Sequence, residues 1–341
     1  MGRVNVGLMT IAVDAMGGDS APAEIVKGAV KAAKDLRSTV LLVGDQAAIK
    51  KHLPPRFGPK NLEIVHCSDF IRMDEHPGPG LRRRDEASMV VAARLVNEGR
   101  AQALVCAGNT GALHQVSLLE IGRLKGVKRP ALTALLPTEK QGAIALDLGA
   151  NADCKPEYLL QFARMGVTYS TRVLGVKNPK LGLLNIGTEH GKGNSLVVQA
   201  HDLLSAAKDL NFIGNIEPTG FFQGQADVVV CDGFVGNMML KTAEAVSEFI
   251  MKRMREAATS NARAKVGGAL LRPSLRSLKQ DMSHTDHGGA MLLGLKGIVI
   301  KCHGRADAET IANGLRVAEQ ALQREVCARI AEALTPAQVE A

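Results

Sequence analysis

The sequence predicts an α/β protein: a mostly parallel sheet with helices on both faces, three layers deep. Short apolar runs alternate along the chain with stretches whose apolar residues recur at helical spacing. Several of those runs lead directly into a polar, glycine-rich segment. The 341 residues are 46% hydrophobic and 22% charged, ordinary for a globular protein able to bury a sizeable core.

Taken in order, Leu8 to Val13 reads as a strand ending in Asp14-Ala15-Met16-Gly17-Gly18-Asp19, and Glu24 to Ala33 as a helix. Thr39 to Val43 and Leu62 to Val65 are strands around a helix near Gln46 to His52. Two prolines, two glycines and Arg82-Arg83-Arg84 make Asp69 to Arg84 an exposed loop, after which Glu86 to Asn97 is helical. Ala103 to Cys106 is a buried strand, Gly108-Asn109-Thr110-Gly111 a tight turn, and Leu113 to Leu124 a helix. Ala131 to Leu136 and Ala143 to Leu146 are neighbouring strands, the second ending in Asp147-Leu148-Gly149-Ala150-Asn151. Pro156 opens a helix to about Gly166, since proline suits a first turn. Leu181 to Leu184 leads into Asn185 to Asn194 and a helix over Ser195 to Ala207. Ala226 to Cys231 leads into Asp232 to Asn237 and a long helix from about Met238, while Arg272-Pro273 breaks a second helical region. Gly297 to Cys302 leads into His303-Gly304, and Ala308 to Leu334 is mostly helical. Ligands of parallel sheets bind beyond the carboxyl ends of the strands, so these loops are expected to gather at one edge.

Composition excludes several classes. No apolar run approaches the roughly 18 residues of a membrane span. The first residues, Met1 to Gly7, form no signal peptide, so a cytoplasmic location is expected. Six scattered cysteines without a Cys-x-x-Cys pair fit a reducing compartment without structural zinc. The net charge is +8, and Lys252 to Lys279 holds eight basic residues against Glu256 alone. With no Trp and 3% aromatics the chain lacks a stacking platform for single-stranded nucleic acid, so an acidic protein or anionic lipid is the expected partner.

The loops carry no Gly-x-Gly-x-x-Gly, no Walker loop and no Gly-x-Ser-x-Gly elbow, which leaves a small anion as the ligand. Glycines beside Asn109 and Lys192 let backbone amides and an ammonium approach a phosphate. Lys241 lies one helical turn beyond Asn237, and His303 follows a buried strand. Asp14, Asp19, Asp147 and Asp232 are read chiefly as helix caps and loop braces, and His284 with His287 fits no zinc spacing, so neither a metal nor a cofactor is expected.

Asp14 to Asp19, Gly108 to Ala112, Leu146 to Asn151, Asn185 to Gly193 and Asp232 to Lys241 together resemble the bacterial phosphate acyltransferases of the PlsX family, from about Ile11 to Arg329. The resemblance implies an isocitrate or isopropylmalate dehydrogenase-like fold and one catalytic domain over 8–335. It implies transfer of a fatty acyl group from acyl carrier protein to inorganic phosphate, forming acyl phosphate for phospholipid (phosphatidic acid) synthesis. It also implies a homodimer beside a membrane glycerol-3-phosphate acyltransferase. Lys192, Asn185 and His303 are then expected to be catalytic, and Gly108, Asn109, Thr110, Gly111, Asp14, Asp232, Asn237 and Lys241 to bind substrate. Asn109 is expected close to Lys192 and Asn237. Within a basic amphipathic region over 238–282, Arg263, Lys265, Arg272 and Arg276 are expected to meet carrier protein or an anionic membrane surface.

Overall fold

The computed structural model describes residues 9–54, 58–76, 78–140, 142–282 and 288–334, with the backbone alone at 79, 82 and 275–282. The strands are β1 (Thr10–Asp14), β2 (Thr39–Gly44), β3 (Leu62–His66), β4 (Ala103–Cys106), β5 (Ala131–Leu136) and β6 (Ala143–Leu146). They continue with β7 (Leu181–Leu184), β8 (Phe212–Ile216), β9 (Val228–Val230), β10 (Ala290–Leu293) and β11 (Ile298–Lys301). All join one sheet in the order β3-β2-β1-β4-β11-β10-β5-β6-β9-β7-β8.

Strand direction corrects the single-edge expectation. β10 runs antiparallel to both β11 and β5, and β5 antiparallel to β6, while the other neighbours are parallel. The strands β1, β4 and β11 therefore point one way, and β6, β9 and β7 the other. The glycine-rich loops leave the sheet at opposite ends, as two groups. The signal was present in the sequence: connections 137–142 and 294–297 are too short for a parallel crossover, which needs a dozen or more residues.

The helices are α1 (Ala23–Ala33), α2 (Gln46–Lys50), α3 (Ser88–Asn97), α4 (Thr110–Val116), α5 (Pro156–Tyr169) and α6 (Ser195–Ala206). They continue with α7 (Pro218–Phe222), α8 (Gly233–Thr259), α9 (Ala262–Met282), α10 (Ala308–Gln323) and α11 (Val326–Ala333). Because side chains alternate along a strand, Ile11 and Val13 face one layer and Ala12 the other. The first layer adds Ile25 of α1, Phe162 of α5 and Leu315 of α10. The second adds Met89 of α3, Leu113 of α4 and Phe221 of α7. Helices α1 and α10 meet where Gly28 leaves room, since a Cβ there would lie 2.6 Å from Cβ of Ile311.

Helices α8 and α9 form a hairpin that closes at Gly268, where a Cβ would stand 2.9 Å from Ala258. Beyond its first turns α8 is mostly exposed. Pro273 lies inside α9 rather than ending it, which corrects the expected break. The carbonyl it leaves unpaired belongs to exposed Ala269, which water can serve. Among the described residues no helix is long and apolar enough to cross a membrane.

Candidate active site

The loops after β6, β9 and β7 converge because those strands are parallel neighbours. The first turns around Asp147, which is fully buried and accepts from the amides of Leu132, Gly149, Ala150 and Asn151 and from the Asn151 side chain. Burial nevertheless holds the Asp147 carboxyl above its ordinary range. The second loop caps α8: Asp232 accepts from the Val235 amide at 2.9 Å, and the Gly233 amide donates to the Asn151 carbonyl at 2.8 Å. Glycine is required at 236, since a Cβ would fall 1.9 Å from the Asp147 carbonyl oxygen. This contact presses α8 onto the first loop and sets Asn237 against Gly149, at 3.4 Å from where a Cβ would be.

The third loop, after β7, carries Lys192. Asn185 donates to the Lys192 carbonyl at 3.0 Å and accepts from the Ile186 amide at 2.8 Å, so it shapes the loop from within. Asn194 caps α6 through the Val197 amide. The Lys192 stem lies over Gly187 and its residue is exposed. Lys192 and exposed Asn237 keep their polar ends free of side-chain hydrogen bonds and ion pairs among the described residues.

At the other end of the sheet the loops after β1, β4 and β11 interlock. Asp14 is buried and accepts from the Met16 and Gly17 amides, the Ser88 hydroxyl and the Cys106 thiol. The Asp19 amide donates to the Gly304 carbonyl at 2.8 Å. Asn109 accepts from the Ala112 amide, capping α4, and donates to the carbonyls of Met73 and Glu75. It thereby ties down a strap over 69–76, whose Asp69 and Glu75 are also gripped by Arg84. The Gly108 amide donates to the Cys106 sulfur, Thr110 opens α4, Gly111 is exposed, and the His303 ring accepts from the Arg305 amide.

The hydrogen bonds show what several of the expected site residues do in the fold. Asp14 braces the Met16 and Gly17 amides, Asp232 caps α8 through one carboxylate oxygen, and Asn109 caps α4 and ties down the strap. None of the hydrogen bonds of Asn109 goes to Lys192 or Asn237. Between β4 and β7 lie five strands, about 29 Å along the sheet at about 4.8 Å per spacing. His303 belongs with the Asn109 end, apart from Asn185 and Lys192.

One helix links the two ends. Lys241, a turn beyond Asn237 on α8, pairs with Glu244 at 2.7 Å, and its charge reaches Lys301 at the end of β11. Lys301 is a functional candidate that sequence reasoning missed, although a lysine closing the apolar run Ile298-Val299-Ile300 was a visible signal. It is 8% exposed and donates to the Cys302 carbonyl. Burial lowers its pKa, Cys106 and Cys302 oppose that shift, and Lys241 adds to it. Burial also pushes the Cys106 and Cys231 thiols well above their ordinary value, which keeps them protonated and unreactive at neutral pH. A hollow lined by Leu81, Val90, Val116, Leu119 and Glu120 touches neither Lys192 nor Asn237.

Of the basic residues expected at a partner surface, Arg263, Lys265 and Arg272 are exposed on α9. The side chain of Arg276, and all of His284 and His287, lie outside the described residues. Exposed Val246, Phe249, Ile250, Val266, Leu270 and Leu271 share this hairpin.

Residues 9–329 match the family described as "Fatty acid synthesis protein". The phosphate acyltransferase of Gloeothece citriformis is 48% identical over 322 residues, 94% of this chain and 92% of that protein. That of Moorella thermoacetica is 49% identical over 310 residues, 91% of each. Among solved structures, a phosphotransacetylase from Streptococcus pyogenes covers 93% of this chain and 94% of its own, with a TM-score of 0.61 at 17% identity. A 4-hydroxythreonine-4-phosphate dehydrogenase from Klebsiella pneumoniae gives 0.52 at 16% identity, over 93% of this chain and 98% of its own. These likenesses bear out the three-layer, dehydrogenase-like α/β fold.

Proposed function

The chain belongs to the phosphate acyltransferase family and is an acyltransferase, and from that premise we propose that it moves a fatty acyl group from acyl carrier protein to inorganic phosphate. A phosphate oxygen attacks the thioester carbonyl, the C–O bond forms, the C–S bond breaks, and the carrier leaves as thiolate. Phosphate at neutral pH is already nucleophilic and a thiolate departs readily, so the protein needs chiefly to orient phosphate and stabilise the oxyanion at the carbonyl.

Lys192 holds the phosphate, and the Asn237 amide donates to the oxyanion. Asn185 is a positioning residue that sets the Lys192 loop. The observation that carries this reading is that Lys192 and Asn237 make no side-chain hydrogen bond or ion pair among the described residues, while Asp147 and Asn185 spend their polar atoms on the loops and Asn194 and Asp232 cap α6 and α8. Incubation with long-chain acyl carrier protein is expected to release free carrier thiol only when phosphate is present. Release from short acyl coenzyme A alone would instead favour the phosphotransacetylase chemistry named for the structural neighbours.

The acyl phosphate would pass to a membrane glycerol-3-phosphate acyltransferase on the route to phosphatidic acid. The α8–α9 hairpin, with exposed Phe249, Ile250 and Leu270 beside Arg263, Lys265 and Arg272, is the surface we assign to peripheral docking on the inner, anionic face of the membrane. Vesicle flotation should weaken when Arg263, Lys265 and Arg272 are neutralised. Unchanged flotation, with loss of carrier binding or of a homodimer, would reassign the hairpin to that protein partner.

A further inference from the structure

The Lys192 loop carries a second group of side chains that acyl transfer does not use. His190 stands two residues before Lys192, and His201 and Asp202 stand on α6, the helix into which the loop runs. The His190 Nε2 lies 2.8 Å from Oδ1 of Asp202, and the two imidazole rings meet edge to face with centroids 4.4 Å apart. Phe212 of β8 backs His201 at 5.2 Å, and the Ser205 hydroxyl lies 3.3 Å from its Nδ1. One ligand atom from each of His190, His201 and Asp202 falls within 4.8 Å of the others.

We propose that His190, His201 and Asp202 form a binding site for a zinc-class divalent transition ion that fastens the Lys192 loop to α6. Two imidazole nitrogens and one carboxylate oxygen are the donors such an ion prefers, and a water completes four-coordination. With metal–nitrogen bonds of about 2.0–2.1 Å, tetrahedral donors sit about 3.3 Å apart. Closing from 4.8 Å is a movement of about 1.5 Å between donor atoms, for which there is room: the His190 and Asp202 side chains are each 62% exposed.

The loop is already held by Asn185 on the Lys192 carbonyl at 3.0 Å, by Asn215 of β8 on the Glu189 carbonyl at 2.8 Å and by Asn194 at the start of α6. An ion at His190 would add a further anchor, two residues from Lys192. The role is to set how freely the loop moves, and no step of acyl transfer passes through the metal.

The test titrates zinc, and cobalt as a coloured substitute, into metal-free full-length protein. One ion per chain is expected, with affinity falling about tenfold or more in His190→Gln, His201→Gln and Asp202→Asn. Their metal-free unfolding midpoints should match the parent, so that weakened binding reports lost ligands. Hydrogen exchange over 187–194 should slow on zinc addition in the parent only. Equal zinc affinity in the parent and a His190→Gln/His201→Gln double variant would overturn the site. Tight binding with unchanged exchange over 187–194 would overturn the anchoring.

Discussion

The loops after β1, β4 and β11 and those after β6, β7 and β9 are built from the same ingredients: an apolar strand, glycines, Asp or Asn, then a helix. In the first group Asp14 and Asn109 are consumed by backbone amides, carbonyls and a thiol. In the second, Asp147 and Asp232 brace backbone amides too, yet Lys192 and Asn237 make no side-chain hydrogen bond or ion pair among the described residues. A strand followed by a glycine turn therefore does not by itself tell a brace from a site. Side chains without hydrogen bonds or ion pairs among the described residues occur in both groups, Asp19 and Arg305 in the first and Lys192 and Asn237 in the second, so the distinction rests on the proposed chemistry.

Gly236→Ala tests the second group most severely. Its Cβ would meet the Asp147 carbonyl oxygen at 1.9 Å, so α8 must shift off the first loop, at a cost of about 3 kcal/mol. The urea midpoint and residual acyl transfer should fall together.

The first group carries an acid-sensitive element. Burial, assisted by the Arg129 charge, pushes His114 of α4 down to about 4, and its Nε2 has no partner among the described residues. Its folded value lies below the unfolded one, so the unfolded chain takes up the proton first. The stability this contributes is present above about pH 6.5 and is lost as pH falls towards 4. Between pH 7 and pH 5 the loss should be roughly 2 kcal/mol. Denaturant titrations at the two values check it, and His114→Gln should flatten the dependence.

Asn109→Ala removes the α4 cap and two bonds to the strap over 69–76, and should lower stability by about 1 kcal/mol. Gly191→Ala is the mildest case. A Cβ there meets nothing within 4 Å, so stability should stay within about 0.5 kcal/mol by thermal melting, although the residue adjoins Lys192.

Strand positions were legible because buried strands are short apolar runs: Ala103 to Cys106, Ala131 to Leu136, Ala143 to Leu146 and Leu181 to Leu184 coincide with β4, β5, β6 and β7. Phe212 to Ile216 and Ala290 to Leu293 were missed: the first is a half-exposed edge strand carrying Gly214 and Asn215, and the second is a four-residue run between Gly289 and Gly294. Direction was not legible from hydrophobicity, because Val299 and Leu292 are both buried although β11 and β10 run opposite ways. The short connections carried that information instead. Within the candidate site, residue types pointed to Lys192 and Asn237, but the engagement of Asn109 depends on carbonyls of Met73 and Glu75 far away in sequence.

The account's central claim is that chemistry belongs to the loops after β6, β7 and β9, while the Gly108-Asn109 loop holds the frame. Phosphate-dependent release of carrier thiol, measured side by side for Lys192→Ala and Asn109→Ala at a temperature where both are folded, addresses it directly. Lys192→Ala should lose about a hundredfold in turnover with an unchanged unfolding midpoint, and Asn109→Ala should turn over like the parent despite a lowered midpoint. Near-normal turnover of Lys192→Ala, or collapse of folded Asn109→Ala, would contradict the claim.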